Sequence, residues 1–103
     1  MIKFNELLFD TEDVTIRARV SFENGYGASI VQGPWSYGGT DGLYEIGILD
    51  DKGELTYSTP IADDVIGYLT PEGVEKVLQE ISELPKLENE TEEDYYEGDY
   101  YAG

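Results

Sequence analysis

The stretch VTIRARVSF, residues 14–22, alternates apolar and polar side chains without a break. Val14, Ile16, Ala18, Val20 and Phe22 fall on one side, and Thr15, Arg17, Arg19 and Ser21 on the other. Five matches to a period of two specify a half-buried β-strand, because an extended chain sends successive side chains to opposite faces. The strand needs a partner, and the next residues supply one. Glu23-Asn24-Gly25 contains Asn-Gly, two residues that tolerate positive φ and close a tight hairpin. YGASIVQ, residues 26–32, is the return strand.

GPWSYGGTDG, residues 33–42, holds four glycines and a proline in ten positions and reads as a loop. A third strand follows at 43–49, with Tyr44, Ile46 and Ile48 on one face and Leu43 and Leu49 on the other. Asp50-Asp51-Lys52-Gly53 makes a turn into a fourth strand, ELTYST, at 54–59. Short connections of this kind favour an antiparallel meander. Pro60 ends the strand pattern, and residues 62–66 read as a single helical turn capped by Asp63-Asp64.

Thr70-Pro71-Glu72 is a helix start, with a capping hydroxyl, a proline at the first helical position and an acid in the first turn. Val74, Val77, Leu78, Ile81 and Leu84 then recur at helical spacing, a stripe wide enough to cover one sheet face. Gly73 weakens the first turn by about 1 kcal/mol relative to alanine. Pro85 stops the helix. The opening segment at 2–9 admits an edge strand or a short helix, and the strand is preferred. The expected fold is α+β: an antiparallel meander of about four strands with one C-terminal amphipathic helix packed on it, in a single domain over residues 1–87. Residues 88–103 carry seven carboxylates, no Lys or Arg, and Asp-Tyr-Tyr twice, and read as a disordered acidic tail.

Charge restricts function more than any motif does. The 103 residues carry a formal net charge of −17, of which 10 units lie in residues 1–87. A direct nucleic-acid binder needs Lys and Arg to displace counterions, and the chain has six basic residues in all. An anionic membrane surface is disfavoured for the same reason, and no apolar run reaches the ~18 residues of a membrane span. The expected partner is a basic protein. No cysteine or histidine is present, which removes disulfides, thiol chemistry and imidazole or thiolate metal sites. The first residues carry acids where a signal peptide would be apolar, so the cytoplasm is the expected compartment and the sequon Asn89-Glu90-Thr91 is read as chance.

Catalysis would have to rest on carboxylates, Tyr or Lys. Asp50-Asp51 and Asp63-Asp64 are adjacent pairs, but turns and caps account for both. Neither a nucleophile elbow nor a P-loop occurs, and Asp50, Asp51 and Glu54 lack calcium-loop spacing. Neither an enzyme, nor a metal, nor a cofactor is expected. Two candidate binding features remain. Helix residues Glu72, Glu75, Glu80 and Glu83, with the turn acids Asp50, Asp51 and Glu54, can present a row of charge. Side chains four apart on a helix lie ~6 Å from each other, near the phosphate spacing of one nucleic-acid strand, so such a row could occupy a basic groove. Tyr95, Tyr96, Tyr100 and Tyr101 could add stacking onto arginine or apolar walls. Separately, Trp35, Tyr37, Gly38 and Gly39 form a candidate ligand loop. The cost of exposing tryptophan favours the alternative that Trp35 folds back to close one end of the sheet.

Residues 22–70 resemble a family of short, mostly uncharacterised accessory proteins of tailed bacteriophages and prophages. The likeness rests on Asn24-Gly25-Tyr26-Gly27, on Tyr37-Gly38-Gly39 and on Gly42-Leu43-Tyr44-Glu45. Thr59-Pro60-Ile61 followed by Asp63-Asp64-Val65-Ile66-Gly67, and the helix ending Leu84-Pro85, continue it over about two thirds of the chain. The acidic tail is outside the pattern. The resemblance implies a phage product in the bacterial cytoplasm, of a kind often directed against host nucleic-acid enzymes or defence, anti-CRISPR proteins included. The function expected from residues and resemblance together is a non-enzymatic inhibitor that binds a basic, nucleic-acid-handling host protein by charge mimicry. A small-molecule module using the loop from Trp35 to Gly42, or a virion component, are the other readings.

Overall fold

The computed structural model describes residues 2–87. Five strands form one antiparallel sheet in chain order: β1 (Asp10–Glu12), β2 (Thr15–Ser21), β3 (Gly27–Gln32), β4 (Tyr44–Leu49) and β5 (Ile66–Leu69). A single helix, α1 (Pro71–Ser82), packs across it. The α+β meander expected from the sequence is the fold.

Register explains the core. Ala18 pairs with Ile30 and Ile30 with Ile46, while Val20 pairs with Ala28 and Ala28 with Ile48. Each row places apolar residues side by side on one face of the sheet. On that face Val74, Val77, Leu78 and Ile81 of α1 are buried, worth roughly 6–12 kcal/mol before the entropy of ordering the helix is set against it. The helix begins as its sequence requires: the Thr70 hydroxyl accepts a hydrogen bond from the Gly73 N–H at 3.1 Å. Leu84 adds a half-buried contact beyond the last turn.

The N-terminal segment differs from expectation. It is not an edge strand but a 3₁₀ turn, Phe4–Glu6, followed after Phe9 by the short β1. The Lys3 N–H donates to the Glu6 carboxylate at 2.8 Å, and the Phe4 N–H to that of Glu75 on α1 at 2.6 Å. Phe4, Phe9 and Tyr44 form a ring cluster with centroids 5.0–5.9 Å apart, closing the core at the start of β4. Phe4 and Leu7 are three apart, which a 3₁₀ turn brings to one side; a strand would have divided them.

The second half of the sheet also departs from expectation. Residues 54–59 are not a strand; there Leu55 makes an isolated bridge to Leu49, and the Thr56 N–H donates to the Ile48 carbonyl at 2.8 Å. Residues 62–66 are not a helical turn, since Ile66 opens β5, pairing with Ile46. Both segments use the same edge of β4. Leu55 and Thr56 cover its end, β5 covers its start, and residues 57–65 loop out between them around Pro60. Thr59 organises that excursion, accepting from the Ile61 N–H at 3.3 Å and donating to the Ala62 carbonyl at 3.4 Å.

Candidate functional site

The register that builds the core also sorts the acidic residues. Gly27 pairs with Leu49, so the turn at Asp50–Gly53 stands beside the β2–β3 hairpin. The Asn24 side-chain amide donates to the carbonyls of Ile81 and Leu84, at 2.8 and 3.1 Å, which brings the C-terminal end of α1 to the same place. Glu23, Asp50, Asp51, Glu54, Glu80 and Glu83 therefore gather at one end of the molecule, with Lys52 and Lys86 among them. Leu87 is there as well, its N–H donating to the Asn24 carbonyl at 2.6 Å. A shallow cavity of about 510 Å³, bordered by Glu23, Asn24, Gln79 and Ser82, lies between hairpin and helix.

These carboxylates are not equivalent. Asp50 accepts hydrogen bonds from the N–H groups of Lys52 and Glu54, at 2.9 and 3.0 Å. The N–H of Glu54, then that of Lys52, holds its carboxyl below the usual aspartate value by stabilising the ionised form. Asp50 is thus a turn-former. Glu83 accepts from the Gln79 side chain at 2.7 Å. Asp51, Glu54 and Glu80 are exposed and supply outward charge.

Glu72 and Glu75 stand at the opposite end of α1, beside Leu69 and Phe4. Glu75 is drawn inward to the Phe4 N–H, and Lys76 interrupts the row from Glu72 to Glu80. The helix therefore does not present one continuous line of carboxylates. Tyr95, Tyr96, Tyr100 and Tyr101 lie outside the described residues.

The sheet face away from α1 carries Arg17 and Arg19, the only arginines of the chain, with Asp10, Glu12 and Glu45 around them. A cavity of about 290 Å³ runs between the arginines and Leu55. The charge there is mixed rather than acidic.

The candidate loop corrects one expectation. Trp35 does not fold back; it is 90 % exposed. The Ser36 hydroxyl both accepts from the Gly33 N–H and donates to the Gly33 carbonyl, each at 3.0 Å, closing a turn that throws Pro34 and Trp35 outward. Gly33 lies against the Thr15 side chain, where a Cβ would collide with the hydroxyl. Two residues on, Tyr37 stacks on Tyr68 of β5, with ring centroids 6.5 Å apart and planes 29° apart. Tyr68 was not foreseen. Its sequence signal is Gly67 inside an apolar run, the kind of position that marks an irregular strand. Gly38 and Gly39 shape the loop's backbone: Gly38 is left-handed at φ 88° and packs on Tyr68, and Gly39 sits against the Gly33 carbonyl.

Among the described residues, no group of three or more His, Cys, Asp or Glu side chains could hold a metal ion, and no helix is long and apolar enough to cross a membrane. No known protein family, curated protein or solved structure matches the chain.

Proposed function

We propose that this is a non-enzymatic binding protein whose acidic end docks on a basic protein surface of the kind that otherwise holds nucleic acid. The observation that carries the reading is the gathering of Glu23, Asp51, Glu54, Glu80 and Glu83 at one end of a rigid scaffold, in a chain of net charge −17. Carboxylates carried on a sheet turn and a helix end require no ordering of their backbone on binding, so only side-chain freedom is lost. Long-range attraction between opposite net charges also speeds encounter. A phage origin, expected from the motifs of residues 22–70 though no family model matches them, would make a host nuclease or CRISPR effector the first partner to try.

The test compares the full chain with a variant carrying Asp51→Asn, Glu54→Gln, Glu80→Gln and Glu83→Gln, each immobilised and exposed to bacterial lysate. Asp50 is left intact because it forms the turn. The wild type should retain a basic nucleic-acid-binding protein that added salt or duplex DNA releases, and the variant should not. Equal retention by both would remove the acidic end from the explanation. Release by salt but not by nucleic acid would leave binding intact and end the mimicry.

A further inference from the structure

Tyr68 has φ 57°, a left-handed conformation that a bulky aromatic residue rarely adopts. Opposite it, the β4–β5 pairing slips between Tyr44 and Ile46. A left-handed residue beside a slipped register re-aims a side chain. Leu69 returns to the core while the Tyr68 ring is left 64 % exposed. Glycine or asparagine would take this backbone with less strain, so the tyrosine is not there for the turn. Strain of this sort points to a use for the side chain it displays.

The surroundings are built to hold that ring in place. The Tyr68 N–H donates to the Tyr37 carbonyl at 3.2 Å, and the Tyr37 N–H donates to the Glu45 carboxylate at 2.9 Å. A Cβ at Gly67 would collide with the Cβ of Tyr37, and one at Gly38 would come within 3.0 Å of the Tyr68 Cα and ring. Only with both glycines can the loop close onto β5. Tyr37 is 57 % exposed, and Trp35, in the same loop, is 90 % exposed. Tyr37 and Tyr68 thus stand half in water as one preorganised pair at the corner where the loop closes onto β5. Trp35, in the same loop, is exposed over a hollow that Glu45 and Arg17 also line, with Asp41 further along the loop.

We infer that this corner is a docking surface for an arginine side chain on an extended segment of a basic partner protein; the inference rests on the reading above and adds a second contact to it. Aromatic faces attract cations, and arginine most readily, because its planar guanidinium stacks and is weakly hydrated. Glu45 and Asp41 can complete the contact with charge-assisted hydrogen bonds. The net charge of −17 favours a cationic occupant and opposes a second copy of the same chain.

The probe is a nine-residue oligo-arginine peptide, with oligo-lysine of equal length as control, titrated into the full chain at low salt. Trp35 is the only tryptophan, so its emission reports on the loop that carries Tyr37. Amide chemical shifts map the contact independently. Oligo-arginine should change the Trp35 emission saturably, shift amides of residues 35–45 and 66–69, and bind more tightly than oligo-lysine. Tyr68→Leu, which keeps an apolar side chain without the aromatic face, should weaken oligo-arginine binding about two- to fivefold. An unchanged amide spectrum away from β5 checks that this variant is folded. Shifts confined to Glu23, residues 50–54 and residues 79–84, with Trp35 emission constant, would overturn this inference and leave the acidic-end reading standing. Equal affinity for the two peptides, or indifference to Tyr68→Leu, would overturn it too. No binding of either peptide anywhere would overturn both. Concentration-dependent shifts at the corner without peptide would assign it to a second copy instead.

Discussion

The side-chain amide of Asn24, at the tip of the β2–β3 hairpin, donates a hydrogen bond to the Ile81 carbonyl in the last turn of α1 at 2.8 Å. The same nitrogen reaches the Leu84 carbonyl, and the Asn24 Oδ1 accepts from the Tyr26 N–H at 3.1 Å. A residue whose sequence signature is only a tight turn also caps the helix that covers the sheet. Replacing it with Ala leaves helix-end carbonyls without their partner, at a cost of about 2 kcal/mol. For a domain of this size that lowers Tm by roughly 8–16 °C. Asn24→Asp should be at least as damaging, since its carboxylate would face the carbonyl oxygens. A melting temperature unchanged in Asn24→Ala would mean that the cap carries no weight.

The Phe4 N–H to Glu75 hydrogen bond ties the N-terminal turn to the helix. Glu75→Ala should cost about 2 kcal/mol and speed hydrogen exchange at Phe4 while leaving the β2–β3 amides protected. Glu75→Gln keeps an acceptor and should lose less. Uniform loss of protection across the sheet would show that the segment is part of the global unit rather than a tethered strap.

Asp50 gives a pH dependence with a definite sign. Its folded carboxyl titrates below the ordinary value, so the folded state binds its proton less readily than the unfolded chain does. Its contribution is complete above the ordinary aspartate value of about 3.9 and is lost as pH falls toward the depressed value. Asp50→Ala should therefore lower Tm at pH 7, and the gap to wild type should close as the pH drops below about 4. A gap constant from pH 7 to pH 3 would assign the loss to turn geometry instead of charge.

Trp35 separates two pictures of the loop by stability alone. With the indole exposed, Trp35→Ala should change stability by no more than about 0.5 kcal/mol in either direction. An indole packed against the end of the sheet would cost about 3–5 kcal/mol to remove. Chemical denaturation distinguishes the two.

The central strands and the helix were legible because each carries its instructions locally. Alternation in residues 14–22, Asn-Gly at the hairpin and the Thr70-Pro71 start are short-range preferences that tertiary contacts reinforce. Residues 10–12 and 66–69 were not legible. Strands of three and four residues have too little pattern of their own, and what makes them strands is the free edge of β2 or β4 that they meet. ELTYST, with the better strand pattern, makes only one bridge because Pro60 stops it from extending and β5 occupies the rest of that edge.

The candidate site divides in the same way. That the protein would be strongly acidic follows from counting side chains, since charge sums whatever the fold. Which carboxylates remain outward does not follow from counting. Asp50 and Glu75 look no different in sequence from Asp51 and Glu80, yet backbone N–H groups claim the first two. The Tyr37–Tyr68 pair joins residues 31 positions apart through two glycines whose importance lies in the Cβ atoms they lack. Composition can be added up along the chain, but contact depends on which backbones approach closely enough to touch, and that is a property of the folded whole.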